Sequence, residues 1–103
     1  MPAYAVLVPS FRITLIIGAL RPGVAPDSVL PHLAAAAAEL TTVEASDLAV
    51  VAGSPRAIVR FTADDAPMAL RIGDHVLAAA RTRVEPVSWQ VTERVKARWY
   101  PVR

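Results

Sequence analysis

The stretch VSWQVTERVKARW, residues 87–99, carries the clearest periodicity in the chain and decides the fold class. Apolar side chains alternate there with polar or basic ones, and Glu93 is the one interruption. Such alternation is typical of a β-strand with one buried face, because successive side chains point to opposite sides. Strands usually run about five or six residues, so this one is long. We expect it either to bend near Glu93 or to leave the sheet of its own subunit.

The same alternation predicts which side chains are buried. Trp89 falls on the apolar side and is expected in the core. Arg94, Lys96 and Arg98 fall on the opposite side and are expected to be exposed. Trp99 shares the apolar side with Trp89, so the pattern separates both tryptophans from the basic residues.

Three further strands are predicted upstream. Residues 11–20 are rich in β-branched side chains and apolar on both faces from Leu15 onward, which indicates a strand in the middle of a sheet. Residues 43–52 and 57–63 are predicted as two strands joined by a turn at 53–56. Residues 4–8 form a short apolar run that predicts either an edge strand or an ordered arm.

Two helices are predicted between these strands. The first is capped by Asp27 or Ser28 and contains the alanine run at 34–38, which favours helix strongly. The second starts at Asp64 or Asp65, just before Pro67. Its apolar residues recur at spacings of four and three, the pattern of a helix with one buried stripe. They are Met68, Ile72, Val76 and Ala79.

The resulting element order is β-α-β-β-α-β. Right-handed crossovers would place both helices on one face of an antiparallel sheet. This order resembles the ferredoxin-like split βαβ arrangement, in which residues 11–20 match the central first strand. A chain of 103 residues is long enough for one core, so residues 1–103 are predicted to form a single α+β domain. No family motif accompanies the resemblance, which therefore implies no function.

Composition narrows the possible functions. Hydrophobic residues make up 54% and charged residues 19% of the chain, which is more apolar than an average domain and excludes disorder. The absence of cysteine excludes disulfides and thiolate metal sites. Lys96 is the only lysine, and the arginine-rich composition is typical of a GC-rich bacterial genome.

Charge is distributed unevenly along the chain. Residues 1–80 hold five arginines against seven acidic residues, a balance of −2. Residues 81–103 hold six basic residues against two acidic ones, a balance of +4. Such asymmetry favours an anionic partner for the C-terminal end.

The apolar N-terminus does not match a targeting segment. Pro9 and Arg12 interrupt its apolar run, whereas a signal peptide or a membrane span requires an uninterrupted one. We expect a cytoplasmic protein with no membrane partner.

No residue pattern predicts a cofactor. Gly18 and Gly23 have the spacing of a phosphate-binding loop, but Val24 and Ala25 stand where that loop needs a lysine and a hydroxyl. The two histidines do not have the helical spacing of zinc ligands. We therefore expect no metal and no organic cofactor, and no catalytic residue is assigned.

Three functions remain open, and the first is a non-enzymatic binding or assembly module that forms a homo-oligomer, most simply a homodimer. The apolar composition supports it, because both faces of residues 11–20 carry large apolar side chains. Either the open face of the sheet or the overhanging end of the last strand is expected to pack against a second copy.

The other two functions use specific side chains. A cofactor-independent enzyme of the dimeric α+β barrel type would have a pocket between sheet and helices, with the candidate residues His32, Arg60, His75 and Trp89. A nucleic-acid-binding module would use the basic C-terminal residues Arg94, Lys96, Arg98 and Arg103. An apolar cavity above the sheet favours the enzyme, and a filled core favours the assembly module.

Overall fold

A five-stranded antiparallel sheet and two helices make up the fold, in a computed structural model that describes residues 8–102. The strands are β1 (Ser10–Leu20), β2 (Val43–Val51), β3 (Ser54–Thr62), β4 (Val84–Val95) and β5 (Arg98–Pro101). The helices are α1 (Val29–Ala38), which follows a short 3-10 turn at Pro26–Ser28, and α2 (Ala66–Ala80). Arg103 and nearly all of the segment predicted at residues 4–8 lie outside the described range.

The strand order across the sheet is β2-β3-β1-β4-β5, and every neighbouring pair is antiparallel. β1 lies in the middle, between β3 and β4, as its apolar sequence predicts. The predicted α+β class is confirmed. β5 is an additional strand that was not predicted.

The two faces of the sheet differ in composition. One face packs under both helices and is called the helix face; there Ile13 lies opposite Val59 and Val91. The other is called the open face, and there Arg12 lies opposite Arg60 and Thr92. Antiparallel partners share a face, so the alternation of β1 extends to its neighbours.

The centre of the space between the helices and the sheet is filled. Phe11 and Phe61 are both 0% exposed, with ring centroids 6.2 Å apart. Apolar side chains of both helices close over them. An apolar hollow remains beside this core, between the sheet and the start of α1. The largest other fully buried side chains are Ile13, Leu15, Leu33, Val59, Ile72, Val76 and Val84.

Local sequence signals set several boundaries. Asp65 is the N-cap of α2, and its side chain accepts a hydrogen bond from the backbone N–H of Met68 at 2.9 Å, as predicted. The turn between β2 and β3 is shorter than predicted and consists of Ala52 and Gly53. Both have positive φ, 52° and 80°. Because the turn ends at Gly53, Pro55 lies in β3 and not in the turn.

The long amphipathic strand is a hairpin, which corrects the predicted bend near Glu93 or exit from the sheet. β4 reverses direction at Lys96 and Ala97, where Lys96 adopts a φ of 58°. β5 then pairs back on β4, with Arg94 opposite Trp99. The end of the strand is therefore covered by its own chain and does not overhang.

The prediction that Trp89 is buried is wrong, since 46% of its surface is exposed. Its position on the helix face is as expected, opposite Leu15. However, α2 has 15 residues and covers about 22 Å, whereas the 12 residues of β4 span about 40 Å. The sheet therefore extends beyond the helix, and Trp89 lies on the uncovered part. Arg94, Lys96 and Arg98 are exposed, as predicted.

Within residues 8–102, neither helix has the length and apolar content needed to cross a membrane.

Candidate functional site

A cluster of arginines around one tryptophan is the most distinctive feature of the open face. Arg12 lies opposite Arg60 in the β1–β3 ladder. The guanidinium of Arg12 stacks on the indole of Trp99, with Cζ 3.8 Å from the ring centroid. The Cζ of Arg60 lies 5.6 Å from the same centroid. We call Arg12, Arg60, Arg94 and Trp99 the arginine–tryptophan cluster.

Acidic side chains balance only part of this charge. Glu44 accepts hydrogen bonds from Arg60 Nε at 3.1 Å and from the hydroxyl of Ser10 at 2.7 Å. Arg12 and Arg94 form no salt bridge among residues 8–102. Burial lowers the pKa of Arg12, the neighbouring charges of Arg60 and Arg94 lower it further, and the negative charge of Asp47 opposes them in part. The cluster therefore concentrates positive charge that its own acids do not neutralise.

A shallow hollow of about 420 Å³ continues the open face beyond the cluster. Its lining is mainly polar. The Nε of Arg56 is buried and has no hydrogen-bond partner among the described residues. Such an orphaned donor is unusual in a folded protein, because its hydration is lost without replacement. The lining residues are Thr14, Ile16, Arg56, Ser88, Trp89 and Gln90.

The hairpin explains why Trp99 joins the arginines. Along one continuous strand, Trp99 would lie on the opposite side from Arg94. Because the chain reverses at residues 96–97, Trp99 becomes the cross-strand partner of Arg94 and the two share a face. The predicted separation of this tryptophan from the basic residues is therefore wrong.

The two histidines meet in a groove between the helices. His32 of α1 and His75 of α2 both line a hollow of about 390 Å³, together with Glu39 and small alanine side chains. His75 Nε2 lies 2.8 Å from the Glu39 carboxylate, and His32 Nε2 lies 3.3 Å from the Thr82 hydroxyl. Among residues 8–102, no group of three or more metal-ligating side chains is brought together.

An apolar surface lies where β1 and β2 end and β3 and β4 begin, and we call it the distal end of the sheet. It contains a hollow of about 480 Å³ between the sheet and the start of α1, lined by Ile17, Leu30, Leu48 and Pro55 among others. Asp27 is the one ionisable side chain in that lining. Large apolar side chains of the distal end are exposed to solvent: Leu20, Leu48, Val50, Val51, Val87 and Trp89.

The four residues predicted to line an enzyme pocket do not share one. His32 and His75 lie in the helix groove, Arg60 lies on the open face, and Trp89 stands near Arg81 on the helix face. Of the predicted basic residues, Arg94 joins the arginine–tryptophan cluster, whereas Lys96 lies in the hairpin turn.

Comparison of the chain with protein-family models, curated proteins and solved structures found no match.

Sequence reasoning missed Arg12 and Arg56 as site residues. Arg12 reads as an isolated solvent-facing position in an apolar strand, and Arg56 falls in the turn predicted at 53–56. The period-two pattern does place Arg12, Thr14 and Ile16 on one face. Only the pairing of β1 with β3 and β4, which no local signal specifies, brings them together with Arg56 and Gln90.

Proposed function

We propose that this protein is a ferredoxin-like, cytoplasmic assembly module that acts as a homodimer through the distal end of its sheet. The observation that carries the proposal is the group of large apolar side chains exposed there. Val50 is 69% exposed, Val87 67% and Leu48 59%. Exposed apolar patches of this kind mark interaction surfaces in folded proteins.

The ferredoxin-like part of the proposal rests on connectivity. β1 and β2 both run antiparallel to β3, so the connection through α1 joins two parallel strands. β3 and β4 both run antiparallel to β1, so the connection through α2 does the same. Two such crossovers interleaved in one sheet are the signature of the split βαβ arrangement. β5 extends that sheet at one edge.

The chain has no element of its own among residues 8–102 to cover the distal end. α1 has 10 residues and extends about 15 Å, whereas the 11 residues of β1 extend about 36 Å. Leu48 and Val50 lie on the helix face, opposite Ala57 and Pro55, and both side chains remain exposed although Leu48 lines the hollow beside the start of α1. Burying these side chains in a second subunit would remove them from water.

The chemistry of the distal end favours a second copy of the same chain over a charged partner. A two-fold axis brings identical patches together, so a charge near the axis meets its own sign. The hollow offers the one carboxylate of Asp27 and otherwise apolar side chains. The exposed Val50 of one copy suits the hollow of the other. Within the described residues, β2 is also an edge strand with one side unpaired, and natural proteins cover or protect such edges.

This interface differs from the two that the sequence suggested. The open face carries Arg12, Thr14 and other polar groups, so it is not the apolar face expected from β1. The end of the amphipathic strand is folded into the β4–β5 hairpin. Most of the large apolar side chains that are exposed lie instead at the distal end.

The filled core supports assembly over the enzyme alternative. Phe11, Phe61 and their neighbours fill the centre of the space between helices and sheet, and an apolar hollow is left beside the start of α1. The distal hollow contains none of His32, His75 or Arg60. The mainly apolar lining of this hollow would accommodate an apolar side chain of a partner subunit.

Sedimentation equilibrium at micromolar concentration tests the proposal. We expect a mass twice that of the 11.0 kDa chain. Val50→Glu and Val87→Glu should each produce a monomer, because a buried unpaired charge opposes association. Val95→Glu is the matched control, since Val95 is 47% exposed at the other end of β4 and should leave the dimer intact. A wild-type monomer, or a dimer that survives both distal substitutions, would overturn the proposal.

A further inference from the structure

We propose that the open face of the sheet binds single-stranded nucleic acid, using Arg12, Arg56 and Arg94 for phosphates and Trp99 for a base. The proposal rests on two neighbouring features: the arginine–tryptophan cluster, and a polar hollow beside it that Arg56 lines. The arginine–tryptophan cluster contains none of the distal apolar residues of the proposed dimer interface, whereas the hollow shares Trp89 with them. Binding does not require the dimer.

Most of the positive charge on the open face has no salt-bridge partner among residues 8–102. Of the four arginines on the open face, Arg60 alone is held in a salt bridge among residues 8–102. Arg12, Arg56 and Arg94 have no carboxylate within salt-bridge distance in the part of the chain that the structure describes. Clustered like charges repel one another, so an anion placed between them gains more than it would from an isolated arginine.

The orphaned donor of Arg56 points to the same ligand chemistry. Its Nε is buried without a partner in the described residues, beside a hollow of about 420 Å³. A guanidinium presents donors in a planar fork that matches a phosphate. A phosphate oxygen entering the hollow would satisfy this donor, and the Thr14 hydroxyl and Gln90 amide offer further hydrogen bonds beside it.

The spacing of the arginines favours an extended polyanion. Arg56 and Arg60 are four residues apart on β3, which separates their backbones by about 13 Å. Arg12 lies opposite Arg60, so the cluster and the hollow form two positive regions along the strands. A single phosphate group cannot contact both regions, whereas successive phosphates of one nucleic-acid strand can.

Trp99 distinguishes nucleic acid from other polyanions. Its ring lies on the same face as the cations, is partly exposed and is held in place by the stacked guanidinium of Arg12. Bases of an unpaired strand stack on aromatic rings that are displayed on a sheet, whereas the bases of a duplex are already stacked on one another. The combination therefore suits a single strand.

The experiment measures fluorescence anisotropy of a short labelled oligothymidylate with the full chain over a series of salt concentrations. Arg94→Gln and Arg56→Gln should each weaken binding about tenfold. Each should also lower the slope of log affinity against log salt by about 0.7, the contribution of one phosphate contact with a single strand. Arg71→Gln is the matched control, because Arg71 is exposed on α2, away from the open face, and its loss changes net charge equally.

Further variants separate a specific surface from general attraction. Trp99→Ala should weaken oligothymidylate binding at least about fivefold and leave binding of inorganic polyphosphate unchanged. Arg94 is exposed, so Arg94→Gln is expected to fold, and circular dichroism verifies this. Dissociation constants weaker than about 10⁻⁴ M at low salt would overturn the proposal. Equal losses for Arg71→Gln and Arg94→Gln, or preferential binding of anionic lipid vesicles, would also overturn it.

Discussion

Leu15 of β1 and Trp89 of β4 lie directly opposite each other in the central ladder, yet Leu15 is 1% exposed and Trp89 is 46% exposed. Leu15 belongs to the core beneath the helices. Trp89 lies past the end of α2, where the guanidinium of Arg81 approaches its ring to 5.3 Å from the centroid. A single pair of cross-strand neighbours therefore marks the boundary of the helical layer.

Because Leu15 is buried and Trp89 is half exposed, we expect their replacement by alanine to lower the free energy of unfolding by different amounts. Leu15→Ala should destabilise the fold by about 2–5 kcal/mol, because it leaves a cavity in a packed core. Trp89→Ala should cost about 1 kcal/mol, the order of an exposed cation–π contact. Urea unfolding in the Val50→Glu background measures both without a contribution from association. Equal costs would show that Trp89 is buried in the monomer.

Signals that act within a few residues were sufficient for much of the fold. Asp65 caps α2 because its side chain reaches a backbone N–H only three residues ahead. The apolar run of β1 implies burial on a sheet whichever strands adjoin it, and β1 is indeed central. These features depend on residues that are close in sequence, so they can be predicted from the sequence alone.

The features that the sequence did not reveal depend on distant parts of the chain. The exposure of Trp89 follows from the difference in length between α2 and β4. Trp99 changes faces because the chain turns at Lys96 and Ala97, which are not typical turn residues. His32 and His75 share a groove only because α1 and α2 pack side by side. All three features depend on how distant segments of the chain pack together, so local sequence patterns do not predict them.

Gly73 of α2 permits the close approach of that helix to the sheet. A Cβ at this position would lie 2.8 Å from Val91 Cγ2 and 3.7 Å from Ile13 Cδ1. In an exposed helix, replacing glycine with alanine gains about 1 kcal/mol. Overpacking a core costs about 1–3 kcal/mol, and the stiff, buried Val91 has little freedom to move. We expect Gly73→Ala to reduce the free energy of unfolding by about 1 kcal/mol.

A double-mutant cycle with Val91 identifies the cause of that loss. If the new methyl group collides with Val91, Gly73→Ala should cost less in a Val91→Ala background, or become stabilising. Chemical unfolding of the four proteins gives the coupling energy. Identical effects of Gly73→Ala in both backgrounds would mean that Val91 does not set the helix–sheet distance.

The β2–β3 turn predicts a stabilising substitution. Ala52 and Gly53 form a two-residue connection with φ values of 52° and 80°, and such turns favour the pair Asn-Gly. Alanine tolerates positive φ poorly, whereas asparagine adopts it several times more often. Ala52→Asn should stabilise the fold by about 0.5–1 kcal/mol, a rise in Tm of about 2–8 °C for a domain of this size. Ala52→Val is the control and should lower Tm, because β-branched residues disfavour positive φ. Shifts of the same sign would contradict the left-handed conformation at Ala52.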